Sequence, residues 1–335
     1  MKTIYFVINH SSTHLEIINT GSGASEFLFY LLISELSKDY SIIVYNKTTS
    51  CKIDNVEYKY LPDNNIPNLE NIDNSFICIQ RNFNIGVEIC KTYPNNKYFI
   101  WSHDYLHDIF PNLSAEYSAK EINSFFSKNR IKIIAVSNFH KKNILSRFPD
   151  VEVIPIYNAL FENYFPKVTN IVCDKDKFLF ASNWGKGLDK ILNIGKVYYE
   201  FNKNFKLLLI KPNYCDWEPD LKEYPFIEKR GCITDKKNYC RLIQSCCAVF
   251  TTSYSETFGC VFAEALHLGV PVIGDNSIEA GFQEIIPEKY MCNFNNPSQV
   301  INVIQKIRIN QYKVSLDYKF YSNSVVNEWV KLINL

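Results

Sequence analysis

The sequence predicts an α/β protein built on parallel sheets and divided into two domains. Three observations carry that expectation. Residues Ala248 to Asp275 read strand, loop, helix, strand, which is the grammar of a parallel sheet. Short runs rich in β-branched and aromatic residues alternate with stretches of helical spacing in both halves of the chain. Finally, 335 residues exceed one ordinary domain, and 47% hydrophobic with 15% aromatic content lets each half bury a sizeable core.

In chain order, Thr3 to Ile8 is the first predicted strand, and the loop after it, Asn9 to Ser22, is long and polar, as functional loops tend to be. Phe27, Leu28, Leu31, Leu32 and Leu36 mark an amphipathic helix, followed by a strand from Ser41 to Tyr45. Asp54 to Asn74 is polar, carries Pro62 and Pro67, and is expected to connect elements loosely. Phe76 to Ile79 and Lys97 to Trp101 are the next strands, and the second ends in Ser102-His103-Asp104. Ile131 to Ser137 predicts a strand, Asn138 to Phe148 a helix, and Val151 to Ile156 another strand. In the second half Phe178 to Ser182 predicts a strand, followed by a turn and a helix to about Phe201. Phe205 to Lys211 is a strand and Lys236 to Ser245 a helix. Ala248 to Thr252 is a buried strand and Ser253 to Gly259 a loop. Val261, Ala265 and Leu268 then recur at helical spacing, Gly269 sits where a left-handed cap ends a helix, and Val270 to Ile273 is a further strand. Pro297 to Ile309 and Val314 to Leu335 predict the last helices, amphipathic at the end from Tyr318.

Composition narrows the function. A formal charge of only +1 argues against a protein that coats nucleic acid. The count of 11 cysteines is odd and follows no regular framework, so reduced, mostly buried thiols and a cytoplasmic setting are expected. Lys2 to Ile8 is too short for a signal peptide, and no run reaches the roughly 18 apolar residues of a membrane helix. Between Glu121 and Asp150 stand Lys128, Arg130, Lys132, Lys141, Lys142 and Arg147 with no acid among them. This stretch, 128–147, is read as a solvated face, with peripheral contact to anionic lipid or an anionic acceptor as the alternative. His10 and His14, like His103 and His107, are four apart, but neither pair has a third metal-binding partner in a known pattern, so no metal is expected. Asp174-Lys-Asp176 reads as a solvated linker rather than a metal motif.

The chemistry concentrates around two acids. Glu256 lies in the loop after the 248–252 strand, and Glu264 follows seven residues later in the helix that the loop opens into. The helix start offers the amides of Phe258, Gly259 and Cys260 to an anion, and Gly259 lets a ligand approach the backbone. Two acids beside an anion-binding helix end suit a ligand with both a phosphate and several hydroxyls, such as a sugar nucleotide. The glycine turn before the first helix has only Gly21 and Gly23 and lacks the dinucleotide fingerprint G-x-G-x-x-G. His103 stands at the carboxyl end of a predicted parallel strand, where open sheets bind ligands.

Glu256-Thr-Phe-Gly-Cys-Val-Phe-Ala-Glu264, continued by Ala-Leu-His-Leu-Gly269-Val-Pro271-Val, closely resembles the E-x7-E segment of retaining GT-B glycosyltransferases of the family 4 type. The resemblance implies two Rossmann-like domains facing a central cleft, with a C-terminal helix returning to the first. It divides the chain into an acceptor-side domain, 1–158 plus a returning helix at about 318–335, and a nucleotide-sugar-binding domain, 159–317. It assigns Glu264 to the ribose hydroxyls and Glu256 to hydroxyls of the transferred sugar. Lys186 of Lys-Gly-Leu-Asp, the amides at Thr257, Phe258 and Gly259, and the Gly21–Gly23 turn would hold the diphosphate. Glu26 matches a family acid near that turn, and a plain helix-start acid is the other reading. Gly231-Cys232 would cup the base, His103 would stand near donor sugar and acceptor, and Ala280 to Glu284 matches a loop at the cleft. The family commonly carries an Arg where Ser182 or Asn183 stands here, so Lys186 either acts alone or works with an Arg from elsewhere.

The function implied is metal-independent transfer of a sugar to a glycan or glycolipid hydroxyl, with a nucleotide-diphosphate sugar as co-substrate and no permanently bound cofactor. The competing readings are a catalytically silent nucleotide-sugar-binding or scaffold protein and a sugar-nucleotide epimerase of the same fold.

Overall fold

The computed structural model describes residues 1–10, 13, 16, 24–48, 50–62, 65–69, 72–104, 118–211, 219–310 and 314–335. They form two units, Met1–Ala159 with Asn323–Leu335, and Leu160–Ser322.

The first unit is built on an eight-stranded sheet. Its strands are β1 (Thr3–Val7), β2 (Ser41–Asn46), β3 (Cys51–Ile53), β4 (Val56–Tyr60), β5 (Phe76–Gln80), β6 (Lys97–Trp101), β7 (Lys132–Ala135) and β8 (Val153–Pro155), in the order β3-β4-β2-β1-β5-β6-β7-β8. Every neighbouring pair is parallel except β3 with β4. All five residues of β5 are buried, the near-continuous apolar run of a strand covered on both faces. From β1 the chain winds outward through β2 and β4, then crosses to β5 on the other side of β1. The order reverses between β1 and β5, and a crevice opens at the carboxyl ends of strands at such a switch point.

Helix α1 (Ala24–Leu36) buries every residue from Phe27 to Ile33, so it is a core helix rather than the amphipathic one expected. Helix α2 (Phe83–Thr92) was not foreseen: Asn82 caps it by accepting the Ile85 amide at 3.0 Å, and Gly86 lets it lie against Ile100. A β-carbon on Gly86 would stand 2.6 Å from Ile100 Cδ1. Helix α3 (Ala119–Lys128) opens with a reciprocal capping box between Ser118 and Glu121, and α4 (Asn138–Leu145) is capped by Ser137.

The expectation of a loose connection over Asp54 to Asn74 is corrected for its first part, through Tyr60. Asp54, at φ 52°, turns β3 into β4, and Val56 and Tyr58 alternate inward against Glu57 and Lys59.

The second unit holds six strands, β9 (Asp174–Phe180), β10 (Lys206–Ile210), β11 (Ile227–Arg230), β12 (Cys246–Thr251), β13 (Val272–Asp275) and β14 (Met291–Cys292). All are parallel, in the order β11-β10-β9-β12-β13-β14, so the switch point falls between β9 and β12. The helices are α5 (Leu188–Phe201), α6 (Lys236–Gln244), α7 (Cys260–His267) and α8 (Pro297–Asn310). Phe178 stacks on Phe250 at 5.3 Å in the core. Asp174 and Asp176 open β9 rather than forming a solvated linker: Asp176 accepts from Arg308 Nη2 at 2.6 Å and Asn202 Nδ2 at 2.8 Å.

The last helix, α9 (Ser322–Asn334), starts later than the predicted Val314. Tyr318–Phe320 is a single 3-10 turn, and the backbone then runs extended beside Leu160. The Leu160 amide donates to Phe320 O at 2.7 Å and the Ser322 amide to Leu160 O at 2.8 Å. Past this staple α9 packs on the first unit, where the buried Trp329 meets Trp101 edge-on at 4.8 Å. Lys97 Nζ donates to Leu335 O at 2.9 Å and Asn334 Nδ2 to Tyr40 Oη at 3.1 Å.

Asp275 closes β13 with no side-chain exposure. It accepts from Lys190 Nζ at 3.0 Å, from the Ser277 hydroxyl at 2.6 Å and amide at 2.9 Å, and from the Phe294 amide at 3.2 Å. Burial pushes its carboxyl up, but the Ser277, Lys190 and Phe294 donors outweigh that and hold it below the ordinary value of 3.8. A depressed folded pKa stabilises the fold above the ordinary carboxylate range, and that stability is lost as pH falls through the depressed value. Asp275→Asn is therefore expected to lower stability near neutral pH by about 1–3 kcal/mol. Urea denaturation at neutral pH and below about pH 4 should show wild type and variant converging in acid; a constant gap would contradict this.

Candidate functional site

In the second unit the loops that follow β9 and β12 leave neighbouring strands at the switch point and are fastened to each other. Gly187, at φ 87°, sits so close to Thr252 that a β-carbon would lie 2.1 Å from Thr252 Oγ1 and 2.7 Å from its carbonyl oxygen. The buried Thr252 hydroxyl donates to Gly187 O at 2.6 Å. Asn183 shapes the turn before it, its carbonyl accepting from the Lys186 amide at 2.9 Å and its side chain from the Gly185 amide at 2.9 Å. Lys186 Nζ then reaches Glu256 Oε2 at 3.4 Å. An ion pair this exposed contributes about 0–1 kcal/mol, so it places two charges and does not hold the loops.

A second support lies beneath Glu256. The Gly281 amide donates to Glu256 O at 2.7 Å, and a β-carbon on Gly281 would stand 2.1 Å from Thr257 O. Ala280, Gly281 and Phe282 are buried, so this part of the stretch matched to a cleft loop packs under residues 256–258. Thr257 and Phe258 are buried, with the Phe258 ring 5.8 Å from Phe320. Gly259, at φ 108°, caps α7. The crowding that requires glycine there comes from Phe262, 2.4 Å from where a β-carbon would stand, in addition to the left-handed backbone.

Glu264 lies on α7 and accepts from Tyr239 Oη at 2.6 Å. Burial raises its pKa above the ordinary value of 4.5, partly offset by Lys236 and by the Tyr239 hydrogen bond. Thr251 Oγ1, Ser253 Oγ and Trp184 Nε1 are buried without a hydrogen-bond partner among the described residues. They belong to the two loops and the end of β12, and each has hydrogen-bonding capacity left over there. Ser182 is partly buried in the same turn. Gly231 and Cys232 are exposed beyond the end of β11, at the edge of the sheet, and no hydrogen bond among the described residues joins them to the acids. Gly21 and Gly23, with His14 and His107, lie outside the described residues.

In the first unit His103 follows β6 and is buried. Its ring lies 4.5 Å from Trp101, and its Nε2 is 3.4 Å from Gln80 Nε2. Burial, with Arg81 and His140 adding like charge, pushes its pKa well below 6.5, so it is a neutral imidazole at physiological pH.

Arg81 was missed by sequence reasoning. It directly follows the apolar β5 at φ 62°, a left-handed conformation uncommon for a bulky residue and concentrated at functional sites. Its Nε donates to Asp104 Oδ2 at 2.6 Å, its Nη2 to Asp104 Oδ1, and its Nη1 to Glu26 Oε1 and Ser25 Oγ, each at 3.0 Å. Ile8, Asn9, Glu26, Gln80, Arg81 and Asn82 line a cavity of about 190 Å³ at the β1–β5 switch point. The one available signal was a cation set at the end of an otherwise buried strand.

Among the described residues no group of three acids, histidines or cysteines is placed to hold a metal, and no helix is long and apolar enough to cross a membrane. The basic stretch is divided among α3, β7 and α4, and Lys132 is paired with Glu152 at 2.8 Å.

No family model matches the sequence, and no curated protein matches it. Solved structures do. A sucrose-phosphate synthase from Thermosynechococcus elongatus is similar over 100% of this chain and 98% of its own, with a TM-score of 0.72 at 15% identity. The apo structure of OtsA is similar over 100% of this chain and 99% of its own, with a TM-score of 0.73 at 9% identity. HepE of Anabaena, solved in complex with UDP and glucose, is similar over 99% of both chains, with a TM-score of 0.65 at 13% identity. Likeness at these identities establishes the fold. The chain has the α/β GT-B fold with two parallel-dominated sheets, as the resemblance implied.

The fastening between the two loops is open to a direct test. Gly187→Ala is expected to cost about 1–3 kcal/mol from the backbone conformation alone, with more from the collision with Thr252. Chemical denaturation would read this as a lower midpoint; an unchanged midpoint would show that the loops are not tied as described.

Proposed function

We propose that this chain is a retaining glycosyltransferase that moves a sugar from a nucleotide-diphosphate donor to a hydroxyl of a glycan or glycolipid acceptor. The observation that carries the reading is the meeting of Lys186 and Glu256 across the β9–β12 switch point, with Glu264 one helix turn beyond the α7 start.

In this scheme the second unit takes the donor. Glu264 accepts hydrogen bonds from the ribose hydroxyls and Glu256 from the transferred sugar, both charge-assisted and therefore short and directional. Lys186 and the amides of Thr257, Phe258 and Gly259, with Ser182 and the Gly21–Gly23 turn, hold the diphosphate, and Gly231-Cys232 faces the base. The bond from the anomeric carbon to the diphosphate oxygen breaks through an oxocarbenium-like state, and a bond to the acceptor oxygen forms. The acceptor proton leaves with the departing diphosphate. Lys186 offsets the negative charge that develops on that group, the part a metal would otherwise take. Retention of configuration rests on the resemblance. The first unit supplies the acceptor side, with the neutral His103 able both to donate and to accept a hydrogen bond there. Free thiols at all ten described cysteines accord with a cytoplasmic setting. The basic stretch 128–147 stays the candidate for peripheral membrane contact.

The alternative class is a protein that binds a nucleotide sugar without turning it over. Assays of sugar release from a panel of nucleotide sugars, with and without chelator, separate the two. The proposal expects chelator-insensitive turnover that falls at least about a hundredfold in Glu256→Ala and Lys186→Ala, the scale on which removal of a transition-state contact is felt. Binding with no turnover of any donor would favour the silent protein, and loss of activity to chelator would end the metal-free scheme.

A further inference from the structure

Glu264 is not a free carboxylate awaiting a ligand. Tyr239, on α6, donates its phenol to Glu264 Oε2 at 2.6 Å, the usual length of a charge-assisted O–H···O⁻ bond. The pair joins two helices, and α6 is fixed from its first turn by Asp235, which accepts from the Asn238 amide at 2.6 Å. Lys236 Nζ lies 5.7 Å from the Tyr239 ring centroid, so the phenol is held between a cation and an anion. Burial, then the charge of Glu264, pushes the Tyr239 pKa well above 10.0, so the phenol keeps its proton and is the donor of the pair.

Two consequences follow for Glu264. One carboxylate oxygen is taken, which leaves the other for a ligand hydroxyl and restricts rotation of the group. The phenol also favours the ionised carboxylate against the burial that disfavours it. The other charged and titratable groups that face the pair are Lys236 and Cys240 on α6, Asp235 at its cap, and Cys260 at the start of α7. Burial holds Cys240 at about 11, where it carries no charge near neutral pH.

We propose that Tyr239 is a positioning residue for the nucleotide: its phenol fixes Glu264 as an oriented carboxylate that reads a ribose hydroxyl. This rests on the assignment of Glu264 to the ribose made above. The class of ligand selected is a ribonucleoside diphosphate over its 2′-deoxy counterpart.

The test is calorimetric titration of the full chain with UDP and with 2′-deoxy-UDP at a series of pH values from mildly acid to neutral. It uses the wild type, Tyr239→Phe, Glu264→Gln and the double variant. Tyr239→Phe is expected to weaken UDP binding about tenfold or more, the loss set by a hydrogen bond to a charged group. Without the phenol the Glu264 pKa rises further, so the acid-side fall in UDP affinity should move to higher pH. In Glu264→Gln only the limb set by the diphosphate's own second ionisation, near about pH 6, should remain, and adding Tyr239→Phe to it should change little. The Tyr239→Phe penalty should shrink for 2′-deoxy-UDP.

Wild-type affinity with an unmoved acid limb in Tyr239→Phe would overturn the proposal, as would equal penalties for both nucleotides. A Tyr239→Phe effect that persists in full on the Glu264→Gln background would also overturn it, because the phenol would then act on the fold at large. Should the wild type bind none of UDP, ADP, GDP or CDP, the donor-site reading fails and takes this inference with it. That outcome is distinct from binding that is indifferent to Tyr239.

Discussion

The tie between the Thr252 hydroxyl and the Gly187 carbonyl is the interaction on which the placement of Lys186 and Glu256 depends. Strands β9 and β12 are neighbours, but their following loops lead to helices that belong to opposite arms of the sheet, so nothing in the strand pairing itself keeps the loops together. A buried hydrogen bond of 2.6 Å and a backbone approach too close for any side chain do so. Lys186 stands one residue before this tie and Glu256 four residues after it. Their own attraction, partly exposed and worth about 0–1 kcal/mol, is too weak to organise the loops. The charges meet because the backbone delivers them.

The first unit treats charge differently. Arg81 answers both Glu26 and Asp104, and the strained φ of 62° shows that the backbone bends to make this possible. Beside it His103 is kept neutral by burial and by the very cation that neutralises the acids. A neutral imidazole next to a satisfied ion cluster suits hydroxyl recognition, since it can turn either a donor or an acceptor toward the ligand.

Much of the fold was legible because parallel strands buried on both faces leave unbroken apolar runs, as Phe76–Gln80 and Cys246–Thr251 do. What escaped was structure stabilised from far away in sequence or disguised by polar residues. The β3–β4 hairpin hides Val56 and Tyr58 among Glu57 and Lys59. The start of β9 read as solvated because its neutralising partner, Arg308, is 132 residues from Asp176. The same division holds at the site. Lys186, Glu256 and Glu264 sit in contiguous segments whose local pattern announces them. Arg81 finds Glu26 at a separation of 55 residues, and Tyr239 finds Glu264 at 25, and neither pairing leaves a mark in the local sequence.

The staple at Leu160 and Ser322 also makes the second unit an insertion in the first, with both passages of the chain fastened at one point. On the ribosome the consequence is an inversion of the usual order, in which the leading domain folds first. The leading unit cannot cover Trp101 until Trp329 has emerged, by which time the whole inserted unit is already outside the exit tunnel. The unit that holds residues 1–159 is thus the one completed last, and until α9 arrives its sheet lacks the cover that Trp329 gives Trp101.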